Sequence, residues 1–220
     1  MIVELTADEA RVIGVLIEKA QTTPDQYPLT LNAVVNGANQ KNNRDPVTNL
    51  EEGAALSALI GLRNKGLVVQ QDGHGQRVPK FRHQFKETLG INTPEMVILA
   101  ELLLRGPQTL GELRGRASRM HPLESLEMVR TTVEQLMNRP EPLAKRVAPA
   151  PGSRAERYAQ LLCPELHVIV EGDEPAPVER GSGAGATVGE RVTMLEAEVA
   201  SLRAAISKLA AEIGAQDPLA

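Results

Sequence analysis

The stretch Gly66-Leu67-Val68-Val69-Gln70-Gln71-Asp72-Gly73-His74-Gly75-Gln76-Arg77-Val78-Pro79-Lys80-Phe81-Arg82-His83-Gln84-Phe85 decides the fold. Upstream of it the apolar residues recur with a helical period. Here the period becomes extended in Leu67-Val68-Val69, and Asp72-Gly73-His74-Gly75 separates that run from a second one, Arg77 to Phe85. A glycine-rich turn between two extended runs predicts a hairpin, because only glycine enters the required positive-φ positions without strain. In the second run, alternation assigns Phe81, His83 and Phe85 to one face and Lys80, Arg82, Gln84 and Lys86 to the other. The basic residues are thereby expected to form a row.

Three helical patterns precede the hairpin. Thr6-Ala7-Asp8-Glu9 is a capping box, followed by an apolar stripe of Val12, Ile13, Leu16, Ile17 and Ala20 that ends at Thr22-Thr23-Pro24 and Tyr27-Pro28. Thr30 can cap a short helix through Leu31, Val34, Val35 and Ala38. After the polar loop Asn39 to Pro46, Thr48-Asn49-Leu50-Glu51 reads as a further capping box opening a third helix to about Asn64, with Gly66 as its left-handed C-cap. Three helices and a hairpin are the element order of a winged helix-turn-helix, the hairpin being the wing.

The order then recurs. Thr93-Pro94-Glu95 opens a helix that is apolar nearly all round and stops at Arg105-Gly106-Pro107. Thr109-Leu110-Gly111-Glu112 caps a short helix to about Ser118, and Pro122 is expected in the first turn of another carrying Leu126, Val129, Val133, Leu136 and Met137 on one side. Leu143 to Val147, the turn Pro151-Gly152-Ser153 and Ala155 to Leu162 predict a second hairpin. The caps Thr30 and Thr109 lie 79 residues apart, as do the two hairpin turns, which implies a duplicated architecture. The expected class is mainly α with small β-hairpin wings. It comprises tandem winged helix-turn-helix domains over 1–88 and 89–170, a linker over 171–189 and a coiled-coil helix over 190–214.

The linker reading rests on Pro, Gly, Ser, Ala and acidic residues from Glu171 to Gly189. Beyond it Val192, Leu195, Val199, Leu202, Ile206, Leu209 and Ile213 are spaced 3, 4, 3, 4, 3 and 4, with β-branched residues at a and leucine at d. That pattern favours a parallel two-stranded coiled coil, and Arg191 and Glu198 at g would face Glu196 and Arg203 at e of a second copy. A homodimer is expected through these seven residues. The other reading of the same spacing is one amphipathic helix packed on the body.

Composition narrows the chemistry. The 220 residues hold 42% hydrophobic and 24% charged residues but only 2% aromatic and no Trp, so stacking platforms for single strands are improbable. One cysteine, Cys163, allows no internal disulfide, and no Cys/His cluster has metal-ligand spacing. The N-terminus is acidic where a secretion signal is basic, and Met96 to Leu104 is too short to span a bilayer, so a cytoplasmic protein is expected. His74, His83, His121 and His167 are scattered without a Ser or Cys partner at recognisable spacing. An enzyme is therefore not expected, nor is a cofactor or a metal.

Several separated runs resemble the YceH-like family of uncharacterised bacterial proteins. They are Leu5 to Gly14, Thr22 to Leu29, Asn39 to Pro46, Leu103 to Thr109 and Gly111 to Arg114, in that order along nearly the whole chain. The resemblance implies tandem winged helices and a bacterial cytoplasm. It implies no reaction or ligand.

The net charge of −4 conceals a division: residues 172–220 hold 4 basic against 8 acidic residues, while the rest is balanced. Within the balanced part, Arg63 to Lys86 carries a local positive surplus. Candidate phosphate ligands are Lys41 and Arg44 in the polar loop, Arg77, Lys80, Arg82 and Lys86 on the first hairpin, Arg114, Arg116 and Arg119 beside the second short helix, and Lys145, Arg146, Arg154 and Arg157 on the second hairpin. The polar loop has a second reading, in which its amides bond the backbone and Arg44 pairs with a carboxylate. The third helices open with Glu51-Glu52 and carry Glu124 and Glu127, which disfavours base readout by these helices. The sequence thus predicts duplex-DNA binding of a regulatory or architectural type through hairpin and loop phosphate contacts. The alternative is a protein-interaction scaffold that presents Glu51, Glu52, Glu124 and Glu127 to a basic partner.

Overall fold

A computed structural model describes residues 3–71 and 78–167, which lie within one compact unit, Met1–Pro175. The linker, the heptad residues Val192 to Ile213, the turn Asp72 to Gly75 and Arg77 lie outside the described residues. Within them the chain is mostly helical with small antiparallel sheets.

Helix α1 (Ala7–Thr22) starts at the capping box, with Thr6 and Glu9 each bonding the other's backbone N–H. Strand β1 (Leu29–Thr30) leads into α2 (Leu31–Ala38), which Thr30 caps through Ala33 N–H. Helix α3 (Glu52–Asn64) follows, and Gly66 at φ 70 turns the chain into β2 (Val68–Gln71). Strand β3 (Lys80–His83) pairs with β2 on one side and β1 on the other, giving the order β1-β3-β2.

The second half opens after α4 (Phe85–Leu89) with α5 (Thr93–Arg105), whose capping box is Asn92 with Glu95. Helix α6 (Leu110–Ala117) uses the expected Thr109–Glu112 box, and α7 (Leu126–Met137) is followed by the hairpin β4 (Ala144–Val147) and β5 (Arg157–Gln160). Gln108 exchanges two backbone bonds with Tyr158 of β5, at 3.0 and 2.8 Å. Residue 108 is 79 positions after Leu29, which bridges β3 in the same place relative to its own capped helix.

Three local expectations are corrected. Thr48 to Glu51 is not a capping box: α3 starts at Glu52, and Glu51 makes no side-chain cap bond. The Asn39 amide holds this segment extended, accepting from Leu50 N–H at 2.6 Å and donating to Leu50 C=O at 2.9 Å. The second run of the first hairpin does not stay extended to Phe85. Gln84 N–H is taken by Leu67 C=O, and the chain turns into α4 so that Phe85 is fully buried. Lys86 consequently stands on α4, and the basic strand row is Lys80 and Arg82. Pro122 does not sit in a first helical turn either, because Ser125 caps α7 through Met128 N–H and leaves Leu126 48% exposed.

The core runs through both halves. Helices α1 and α5 pack along each other, and a Cβ on Gly14 would meet the Leu104 side chain at 3.0 Å. Val12, Ile13, Leu16 and Ile17 of α1 and Val97 through Leu104 of α5 are fully buried apart from the interruption of Glu101, itself without exposed surface. Burying each such aliphatic side chain stabilises by roughly 1.5–3 kcal/mol. Helix α1, expected to bury one stripe, is buried from Glu9 to Glu18 because α2 and α3 cover the side that α5 leaves free.

Candidate nucleic-acid interface

The candidate cations divide by what holds them. Arg44, expected as a phosphate ligand, is a buried structural residue. Its Nη2 donates to Glu18 Oε2 at 2.5 Å and to Gly37 C=O at 2.8 Å, its Nη1 to Glu18 Oε1 at 3.2 Å and Asn43 C=O at 2.7 Å, and its Nε to Gly37 C=O at 3.1 Å. A guanidinium with its donors spent inside the fold has none left for a ligand. Of the two readings of the polar loop, the structural one holds for Arg44 and Asn39. Lys41 in the same loop is exposed.

Arg119 joins the same cluster, donating through Nη1 to Glu18 and through Nη2 to Glu101 at 3.1 Å, while Arg105 Nε lies 3.6 Å from the other Glu101 oxygen. Carboxylates from α1 and α5 are thus bridged by one arginine from the end of α6. Burial acts to raise the Glu18 pKa, but hydrogen bonds and charge from Arg44 and Arg119 outweigh it and hold it below the ordinary carboxylate value. Arg11, also buried, donates to Leu104 C=O at 3.1 Å and Pro46 C=O at 2.7 Å, and burial with the nearby Arg44 charge lowers its pKa to about 10.

Arg116 pairs with Glu112 at 3.1 Å and donates to Gln108 at 2.8 Å, and Arg114 donates to Glu124 C=O at 2.9 Å. The candidates on and just after α6 are therefore engaged within the protein. Those on and beside the hairpins mostly are not. Among the described residues Lys80, Arg82, Lys86, Lys145 and Arg154 have no carboxylate within ion-pair distance, and Arg82 Nε is buried without a hydrogen-bond partner. Arg146 is the exception, paired with Glu156 at 2.8 Å.

Arg157 lines a cleft of about 650 Å³ together with Arg105, His167, Asp45 and Glu112. Its two arginines are met by two carboxylates, so the cleft has no cationic surplus. His167 bonds Asp45 C=O at 2.7 Å, and burial lowers its pKa. His83 sits against the Tyr27 ring, and burial brings its pKa down to about 4. Cys163 is buried, and burial raises its thiol pKa. Among the described residues no three His, Cys, Asp or Glu side chains gather to hold a metal, and no helix is long and apolar enough to cross a membrane.

Residues 5–153 match the sequence family described as "Protein of unknown function, DUF480". The chain belongs to this family. A UPF0502 protein of Geotalea daltonii is 49% identical over 180 residues, 82% of each chain, and one of Pelobacter propionicus is 47% identical over 205 residues, 90% of this chain and 93% of its own. A third, from Citrobacter koseri, is 43% identical over 216 residues, 96% of this chain and 98% of its own. The expected YceH-like assignment agrees with this UPF0502 membership.

In this DUF480 chain the third-helix acids lie on the surface. Glu51 and Glu52 at the start of α3 and Glu124 and Glu127 around the start of α7 are exposed. Beside the first pair, Leu56 and Ile60 of α3 are 41% and 47% exposed. Sequence inspection missed these two because the α3 pattern looks evenly apolar. Their only signal is that Ala55, Ala58, Leu59 and Leu62 already complete a buried face.

Proposed function

We propose that this protein is a non-enzymatic tandem winged-helix protein that binds duplex DNA through phosphate contacts from its hairpins. Its role is regulatory or architectural. The two hairpins serve as wings, and α2–α3 and α6–α7 as the helix-turn-helix pairs. The observation that carries the reading is the segregation of charge: the arginines on and just after α6 are consumed internally, whereas Lys80, Arg82 and Lys86 around the first hairpin and Lys145 and Arg154 on the second lack acidic partners among the described residues. Cations without acidic partners, Lys86 and Arg154 exposed and Lys80, Arg82 and Lys145 half-buried, suit a phosphate backbone, while Glu51 and Glu52 at the start of α3 oppose insertion of that helix between phosphates. Binding with little sequence preference follows. The double variant Lys80→Ala/Arg82→Ala should keep its melting temperature and lose affinity for random duplex at least tenfold in an electrophoretic shift assay. Unchanged affinity refutes the reading.

The C-terminal heptad supplies a parallel homodimer in this account, which multiplies weak phosphate contacts by bringing two copies to one duplex. Leu202→Asp should halve the mass measured by light scattering, and an unchanged mass removes the heptad as the dimer contact.

The second reading is a protein-interaction scaffold, favoured by the exposed α3 surface with its acids and aliphatic side chains. Binding of a basic protein partner that survives the hairpin double variant but is lost on Glu51→Lys/Glu52→Lys would select it.

A further inference from the structure

The outward stripe of α3 is complementary to itself. From one end to the other it presents Glu51 and Glu52, then Gly53, then Leu56, Ser57 and Ile60, then Arg63 and Asn64. Leu56 and Ile60 are one turn apart and both stand in solvent at 41% and 47% exposure. The small residues Gly53 and Ser57 lie on the same stripe, and a Cβ added at Gly53 would meet nothing within 4 Å. The basic end is held in place: Arg63 donates to Gln70 at 2.8 Å, and Lys65 pairs with Glu9, so neither turns back to neutralise Glu51 or Glu52.

We propose that this face binds the same face of a second copy, with the two α3 helices antiparallel. A two-fold axis crossing the helix near Ala58 sets Leu56 against the second copy's Ile60 and Ile60 against its Leu56. It also brings Glu52 to the other copy's exposed Arg63, twice over. In a two-fold interface every group must find its complement on its own surface, and this stripe meets that condition in charge and in apolarity. Helix α7 does not. Its exposed Leu126 stands alone, Glu127 is already 3.8 Å from Arg130, and its last turn has no basic residue. The patch is small, so the pairing is concentration-dependent and salt-sensitive. It does not depend on what the hairpins bind, because Lys80, Arg82 and Lys86 are not part of the stripe.

The test uses the full chain. Leu56→Cys and Ile60→Cys proteins, tagged differently and coexpressed, are oxidised, and the disulfide-linked dimers are counted on a denaturing gel; native Cys163 is buried and serves as the background control. The antiparallel pairing yields mixed Leu56→Cys with Ile60→Cys dimers at several times the statistical proportion over either like pair. Adding Glu51→Lys/Glu52→Lys to both proteins lowers that yield severalfold, and adding Arg63→Glu to the charge-reversed pair restores part of it. Crosslinks in statistical proportion, absence of crosslinks, or a yield indifferent to charge reversal overturn the proposal, and a face with no crosslinks is left to a different protein. Circular dichroism melts of each variant report folding, and these surface positions leave the melt unchanged.

Discussion

Glu18 has almost no exposed surface, yet two arginines converge on it, Arg44 from the polar loop and Arg119 from beyond α6. Such a cluster is costly to form and costlier to break, since removing one member strands a charge away from water. Arg44→Ala should therefore destabilise the protein by about 3–5 kcal/mol in urea denaturation. The pKa of Glu18 is depressed in the fold, so its contribution is present above the unfolded value of 4.5 and is lost as pH falls through the folded value. His83 acts in a different window. Burial, with Arg82 and Lys86 adding to it, lowers its pKa from 6.5 to about 4. Above 6.5 both states are neutral; below it the unfolded chain takes the proton first, and stability declines until pH reaches about 4. His83→Gln should flatten the melting temperature between those limits, and a slope retained there would assign it to another group. In the sequence, pairing of Arg44 with a carboxylate was one of two open readings and His83 shared a face with Phe81, but Glu18 as the partner was not legible. Arg11 and Glu18 occupy positions that a helical wheel assigns to solvent, and only the approach of Arg44 and Arg119, 26 and 101 residues away, makes Glu18 an interior residue.

At the level of elements, start signals with a short-range cause were legible and those with a long-range competitor were not. Thr6, Thr30 and Thr109 cap the helices they were read to cap, because hydroxyl and backbone donor lie within one turn. Thr48-Asn49-Leu50-Glu51 has the same local chemistry, but the Asn39 amide captures both backbone groups of Leu50, and the helix waits until Glu52. That amide sets where α3 begins. Asn39→Ala should cost about 1–3 kcal/mol by leaving the Leu50 backbone unpaired, and Asn39→Asp, which keeps the acceptor for Leu50 N–H but loses the donor, should cost less. Equal costs in urea denaturation would show that the acceptor for Leu50 N–H contributes nothing. The hairpins were legible as elements, but the expected row of Lys80, Arg82, Gln84 and Lys86 on the first does not form, since the fully buried Phe85 bends the chain into α4 after His83.

At the scale of the molecule, the helix caps Thr30 and Thr109 lie 79 residues apart, and so do Leu29 and Gln108, each of which bridges a hairpin strand. The joining of the halves was not visible, because α1 and α5 meet through ordinary aliphatic side chains and the Gly14–Leu104 approach, which no motif announces. Of the candidate interface, Arg44 and Arg119 contribute to the fold, while Lys80, Arg82, Lys86, Lys145 and Arg154 have no acidic partner among the described residues. What remains for a partner is a set of cations without acids, and that is a claim about counterions. Fluorescence anisotropy of the full chain on random duplex DNA at about 50 mM and about 200 mM salt tests it. With five phosphate contacts per copy the account predicts affinity falling about 500-fold between the two, with a salt slope reduced by about 2 in Lys80→Ala/Arg82→Ala. Affinity indifferent to salt, or no binding at the lower concentration, would contradict it.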